Sequence, residues 1–309
     1  MIIQSSSPIR LDRYLRREFS NLTQGVIEKA LRSGAVKLND SKPKSSTRIQ
    51  KDDILTIAEG AFPDKLAGNA GDTKHFSQNV IALAEKLLSK YLLFSSDEFI
   101  AIDKPCNLAT QGGSKISLSV DDALAYLNSQ ENSNDGYKLA HRLDKETSGI
   151  LLIAKGAENA ARLGTAFQDK LIKKTYIGLL SSCPAELEGK IVNNIGKDRS
   201  GIFEVVKELA SGGKLAETHY KVLKKKGSSV LVQFNPLTGR MHQLRFHSKH
   251  IGCPIIGDKK YGGKESARMF LHAQKIVISP AVFGAEIIIE SPPAEEFGFD
   301  ADVAAQISG

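Results

Sequence analysis

Apolar residues along this chain follow two rhythms. Up to Ala58 they recur four apart, the spacing of one helix face: Leu15 with Phe19, and Ile27 with Leu31. These pairs predict helices over Asp12 to Phe19 and Thr23 to Arg32, with Thr23 as the cap of the second and Gly34 as its stop. "AVKLN" then reads as a strand, Asn39–Asp40 as a turn, and "DDILTI" as a further strand. From Glu98 onward, short β-branched and aromatic runs take over. "FIAID", "GILLIA", "TYIGLL", "ETHYKVLKKKGSSVLVQFNPLTGR" and "AEIIIE" read as strands. "AENAARLGTAFQDK" and "MHQLRFHSKHIG" keep a period near 3.6 and read as helices. Strands dominate without alternating regularly with helices. That predicts an α+β fold with a mixed, mainly antiparallel sheet flanked by helices, not a doubly wound one. Between the two rhythms lies a polar stretch rich in Gly, Asp and Lys, followed by "VIALAEKLLSKYLLF", a helix passing into a strand. The expected organisation is a small domain over 8–58, a linker over 59–90 and a larger domain over 91–300.

Charge changes the picture for the small domain. Of a net +7 over 309 residues, the stretch 8–58 carries an excess of five, with 11 Lys and Arg against 6 Asp and Glu. Basicity concentrated at one end points to a nucleic-acid-binding appendage; a solvated basic face is the plainer alternative. Two short helices followed by strands, with Arg10, Arg13, Arg16, Arg17, Lys29 and Arg32 interspersed, resemble the αL RNA-binding module also found in a small-subunit ribosomal protein. The likeness rests on "RLDRYL", "IEKALRSGAVKLN" and "DDIL". The rest of the composition, 41% apolar and 25% charged, is that of an ordinary globular protein. No apolar run approaches the ~18–20 residues of a membrane span. The start "MIIQSSSPIR" lacks a secretory signal pattern, so a cytoplasmic location is expected. Cys106, Cys183 and Cys253 form neither a disulfide framework nor a CxxC pair and read as reduced thiols.

Four segments hold candidate chemistry. "HRLDKETSGILLIAK" places Asp144 in a polar turn just before a strand, flanked by Arg142 and Lys145 that keep it ionised. A surface salt bridge would explain the same residues. "KKTYIGLL" sends Tyr176 into a strand behind two lysines, where packing is the usual role and stacking the rarer one. "NPLTGRMHQLRFHSKHIGCPIIGDKKYG" crowds Arg240, His242, Gln243, Arg245 and His247 together. Donors of this kind suit phosphate, carboxylate or base edges, and burying them without an anionic partner is costly. "IDKPCNLATQGGSK" ends a strand at Lys104–Pro105, and Gly112–Gly113 would allow a close backbone approach. The histidines lack HExxH spacing, and GxSxG, P-loop and GxGxxG patterns do not occur. A reaction without metal or cofactor is expected.

"HRLDKETSGILLIAK", "KKTYIGLL", "GRMHQLRFH…GCPIIGDKKYG" and "FLHA", in this order, resemble the RluA family of pseudouridine synthases. With the αL-type module in front, the chain is most similar to the RluC branch, which modifies large-subunit ribosomal RNA; RluD-type and transfer-RNA-directed members are the alternatives. It departs from the family at Asp103, where Asn is usual, and Gln111, where His is usual. The resemblance implies that Asp144 attacks C1′ of a flipped uridine or removes its C2′ proton. It implies that Arg245 pairs with Asp144, that Tyr176 stacks on the uracil, and that Arg142 fills the gap left by the extruded base. RNA contacts are implied for His141, Arg240 and His242, with Lys104 holding phosphate at the pocket rim. Ribosomal RNA is the expected partner and a monomer the expected state. Two other classes fit parts of the sequence. A non-catalytic RNA-binding or assembly protein would leave Asp144, Tyr176 and Arg245 without use. A glycosidase would want a second catalytic carboxylate, and none stands out.

Overall fold

The structure is a computed structural model that describes residues 3, 8–19, 22, 24–62, 76–113, 116–130, 136–198 and 205–298. The expected cap Thr23, Ser114, the side chain of Arg17 and positions 63–75 of the expected linker lie outside them. The chain divides into two compact units, Met1–Lys74 and His75–Gly309.

In the first unit, strand β1 (Ile9–Arg10) runs into helix α1 (Leu11–Glu18). Helix α2 (Gln24–Ser33) and strands β2 (Val36–Leu38), β3 (Arg48–Ile49) and β4 (Leu55–Ile57) follow. Antiparallel pairs β1–β3 and β2–β4 hold it together. Leu11, Tyr14 and Leu15 repeat at helical spacing, as do Ile27, Ala30 and Leu31, and both sets close over Val36, Ile49 and Leu55. The opposite helix faces leave Arg13, Arg16, Lys29 and Arg32 exposed. Arg10, also exposed, is forked onto Asp12 at 3.0 and 2.6 Å. Asn39 and Asp40 both take positive φ, 46° and 61°, as a two-residue turn of this kind requires.

The second unit opens with helix α3 (Gln78–Leu88), whose Ser77 cap accepts from the Val80 N–H. This helix lies within the stretch expected as a linker. Val80, Leu83, Ala84 and Leu87 form an apolar stripe, and the last three are buried in the unit's core. Then come β5 (Leu92–Ser95), β6 (Phe99–Lys104), α4 (Val120–Gln130), β7 (Tyr137–Leu139), β8 (Ser148–Lys155), α5 (Gly156–Gln168), β9 (Ile172–Leu180) and β10 (Glu188–Asp198). The chain continues through β11 (Val205–Glu208), β12 (Lys214–Lys226), β13 (Ser229–Pro236), α6 (Gln243–His250), β14 (Leu271–Ile278), α7 (Pro280–Phe283) and β15 (Ile287–Glu290). One 11-stranded sheet runs β11-β10-β12-β13-β9-β14-β8-β6-β5, with β15 also on β14 and β7 also on β8. Of these pairs β14–β8 is parallel and the others antiparallel, so the α+β fold with a mixed, mainly antiparallel sheet is the one observed.

Strand β8 explains the unbroken apolar run of "GILLIA". Leu151 and Ile153 face the core under α3 and α4, while Ile150, Leu152 and Ala154 face the core under α5. A strand covered on both faces needs no polar side. At its start Gly149 has φ 106°, and a Cβ there would lie 2.3 Å from the Ala273 carbonyl oxygen. Only glycine permits β8 and β14 to approach so closely, immediately after the turn that carries Asp144. The glycines at 112–113 do no comparable work: a Cβ at Gly112 would meet nothing nearer than 3.9 Å.

Candidate active site

The turn over 140–147 is fixed from several sides. His141 Nε2 accepts from the Leu152 N–H at 2.9 Å. The Thr110 hydroxyl donates to the Leu143 carbonyl at 2.7 Å and accepts from the Leu143 N–H at 3.2 Å. Lys104 Nζ donates to the Lys145 carbonyl at 3.3 Å, and the Cys106 thiol to the Glu146 carbonyl at 2.9 Å. A turn anchored in this way presents Asp144 without conformational freedom to lose on binding.

Asp144 stands on the wall of a cleft of about 780 Å³. It is the one carboxylate among the described lining residues, whereas Arg142, Lys170, Lys174, Lys197, Arg240 and Arg245 supply positive charge. Tyr176, from β9, and His141 and His242 add polar groups to the lining. The volume falls in the range of sites for small organic groups, and the charge favours an anionic polymer.

Helix α6 carries Arg245 one turn in from its start, and the side chain is 2% exposed. Asp258 holds it: Arg245 Nε donates to Oδ2 at 2.8 Å and Nη2 to Oδ1 at 2.7 Å. Arg245 Nη1 donates to Glu146 Oε2 at 3.1 Å and lies 3.7 Å from Asp144 Oδ2. The expected pairing of Arg245 with Asp144 is thus a long ion pair without a hydrogen bond, and the forked pair is made with Asp258. Burial opposes the charge on Arg245, but Asp258 more than offsets it and raises its pKa. Gly257, at φ 83°, brings Asp258 in: a Cβ there would lie 1.8 Å from the Arg268 carbonyl oxygen. Behind the guanidinium, the Tyr261 ring is 5.4 Å away.

The remaining groups are tuned by burial. Burial, with Asp144 adding to it, lifts the Tyr176 phenol above its ordinary range, so it stays protonated. Burial, with Lys174 nearby, pushes His141 down to about 3, which agrees with its neutral acceptor role toward Leu152. His242 sits at φ 51° with Nδ1 3.1 Å from the Tyr261 hydroxyl, and burial lowers its pKa. Gln243 ties down the preceding loop: its Oε1 accepts from the Arg240 N–H and the Thr238 hydroxyl, at 3.0 and 2.7 Å. Arg240 itself is exposed at the cleft, and its Nε donates to the Leu215 carbonyl at 3.0 Å. Arg142 is exposed beside Asp144.

This arrangement offers an anionic nucleophile or base, an immobile cation behind it, a phenol and a cationic surround. A sequence profile described as RNA pseudouridylate synthase matches residues 98–250. A Rickettsia bellii protein named ribosomal large subunit pseudouridine synthase C is 47% identical over 94% of this chain and 97% of its own length. The chain belongs to the RNA pseudouridine synthase family. A Vibrio cholerae protein of the same name is 30% identical over 86% of this chain and 84% of its own. Among solved structures, human RNA pseudouridylate synthase domain containing 4 superposes with a TM-score of 0.60 at 25% identity, over 74% of this chain and 97% of that one. Human RNA pseudouridylate synthase domain containing 1 gives 0.56 at 26% identity, over 70% and 86%.

In this pseudouridine synthase Lys104 is not at the pocket rim. Its side chain is fully buried, and Nζ donates to the carbonyls of Pro105 at 3.0 Å and Leu108 at 2.8 Å as well as to Lys145. Burial pushes the ammonium down to about 8, so it remains charged at neutral pH, where three carbonyl oxygens saturate it and leave nothing for a phosphate. Lys104→Met strands those carbonyls and is expected to cost about 2–4 kcal/mol, read as a Tm lowered by several degrees. The slope of log RNA affinity against log salt should stay at the wild-type value; flattening by about 0.9 would return Lys104 to the RNA surface.

Sequence reasoning passed over Glu146, Asp258 and Tyr261 as individual residues, although each sits inside a quoted motif, "LDKET" or "GDKKYG". Asp258 had a usable signal, because a buried arginine on α6 needs a compensating carboxylate. Lys170 and Lys197 join the cleft only through the fold. Among the described residues, no helix is long and apolar enough to cross a membrane.

Proposed function

We propose that this enzyme isomerises uridines in large-subunit ribosomal RNA, with Asp144 as the reacting group. The observation that carries the reading is a carboxylate, Asp144, on a rigid turn at the wall of a cleft whose other charged lining residues, among those described, are cations. The names of the Rickettsia and Vibrio relatives support the choice of RNA. In the reaction the bond from N1 of uracil to C1′ breaks, the base turns, and C5 bonds to C1′. The C5 proton leaves and N1 gains one, so atoms and electrons balance without a redox partner. Asp144 attacks C1′ or takes the C2′ proton to begin this. Arg245, locked by Asp258, holds a positive charge 3.7 Å from Asp144 and orients it. Tyr176, a phenol at all working pH values, provides a flat partner for the uracil. Arg142, exposed at the rim, replaces the extruded base in the stack. His141, by contrast, acts through the fold of the turn.

Mapping pseudouridine in ribosomal RNA with carbodiimide, in cells with and without the protein, tests the reading. Large-subunit positions should lose their signal without it. Loss confined to transfer RNA would refute the ribosomal target, and no loss anywhere would refute the substrate altogether. We read the work as that of a monomer in the cytoplasm, where its RNA substrate is made.

The small domain over 8–58 is assigned to gripping RNA backbone through Arg13, Arg16, Lys29 and Arg32, with Arg10 and Arg17 as further candidates from the sequence. Removing Met1–Lys74 should weaken binding and flatten the salt slope by several units, at about 0.7–0.9 per phosphate contact. Turnover of a short stem-loop should survive better than turnover of long ribosomal RNA. An unchanged slope and substrate ratio would make the module a docking element for protein instead.

A further inference from the structure

Arg245 carries one positive charge and faces three carboxylates. Asp258 takes Nε and Nη2, Glu146 takes Nη1 at 3.1 Å, and Asp144 stands 3.7 Å from that same Nη1. Glu146 lies two residues after Asp144 on the same turn, and the reaction as drawn makes no use of it. Its backbone is pinned by the Cys106 thiol, while its side chain crosses to α6 and is 33% exposed. Burial opposes its ionisation, but Arg245, assisted by its own backbone N–H and Lys260, outweighs this and holds the carboxyl below its ordinary range.

A carboxylate that must attack carbon or accept a proton loses basicity when a guanidinium donates to it directly. Asp258 alone suffices to balance the charge of Arg245. The nitrogen nearest Asp144 is Nη1, and the hydrogen bond it makes with a carboxylate on this turn is the one to Glu146. We propose that Glu146 is a positioning residue for uridine isomerisation: by holding Arg245 Nη1 at 3.1 Å, it keeps that nitrogen 3.7 Å from Asp144, which is oriented by the cation yet free of its hydrogen bond. This rests on the reading of Asp144 as the reacting group.

The groups whose charge acts with that of Asp144 come from every neighbouring element. Lys104 lies on β6, Tyr176 on β9, His242 before α6, Arg245 on α6 and Tyr261 after it, with Asp258 behind Arg245. Within the turn itself, Glu146 supplies negative charge and Arg142 and Lys145 positive charge. Replacing Glu146 by Gln removes a negative charge beside Asp144 and leaves a neutral amide oxygen that holds Nη1 less strongly.

The test uses the full-length protein and a ribosomal RNA fragment labelled with tritium at C5 of uridine, since that hydrogen is released on isomerisation. Glu146→Gln and Glu146→Asp are compared with wild type for kcat across pH, with Tm as a check on folding. In Glu146→Gln the acidic limb should move to lower pH by about half a unit, and the plateau kcat should fall about tenfold. KM should change little. Glu146→Asp keeps the charge, so its limb should return toward wild type with part of the lost kcat. An acidic limb that stays in place, or an undiminished plateau, overturns the role of Glu146. Absence of tritium release from wild type would instead overturn the uridine-isomerase reading on which it rests.

Discussion

Asp144→Asn is expected to lower kcat by at least about 10⁴, a loss of ~5.5 kcal/mol in transition-state stabilisation, while folding and RNA affinity are retained. The amide matches the carboxylate in shape but can neither attack C1′ nor accept a proton. It also loses little structurally, because the ion pair with Arg245 is long at 3.7 Å and the turn is held by backbone contacts through Thr110, Lys104 and Cys106. Tritium release under single-turnover conditions, together with thermal unfolding and RNA titration, separates chemistry from binding. Residual turnover within about tenfold of wild type, only ~1.4 kcal/mol, would remove Asp144 from the chemistry.

Arg245→Lys is expected to be nearly as damaging, for a different reason. A lysine ammonium cannot reproduce the planar fork that spans both oxygens of Asp258 and reaches Glu146 as well. Asp258 is fully buried, so an imperfectly paired carboxylate is left without water. Stability should fall by about 3 kcal/mol and kcat/KM by about 10³. Asp258→Asn should lower stability comparably, since it leaves the guanidinium buried without its balancing charge. The two losses should be less than additive when combined, because both break one contact. Wild-type stability in Arg245→Lys would show that the forked pair does not anchor the site.

These two residues also mark where the sequence was readable. Periodicity located α1, α2, α5 and α6 to within a few residues and the strands β6, β8, β9 and β15, because each buries a face that its own side-chain spacing encodes. It did not reveal β10 and β11, where exposed Lys and Glu alternate with few buried apolar residues at the sheet's edge. Helix α4 also went unread: its buried Val120, Ala123 and Leu124 make only a short stripe. Part of the stretch expected as a linker is α3, whose apolar spacing was visible but whose docking partner was not.

What the sequence by itself determined is the chemistry present: a carboxylate between basic residues before a doubly buried strand, a tyrosine on the next sheet strand, and a donor-rich helix. Those features follow from local order along the chain, and together they resemble one family. Tertiary structure decided which of these groups meet. Arg245 and Asp144 are about a hundred residues apart, and three carboxylates compete for one guanidinium. Only the packing of α6 against the 140–147 turn and the loop at Asp258 settles which carboxylate receives the fork. It also moved Lys104 from the pocket rim to the interior, because the ammonium finds three backbone carbonyls at the end of β6. Pairing of charges depends on distance and burial in space, and sequence spacing encodes neither across such separations.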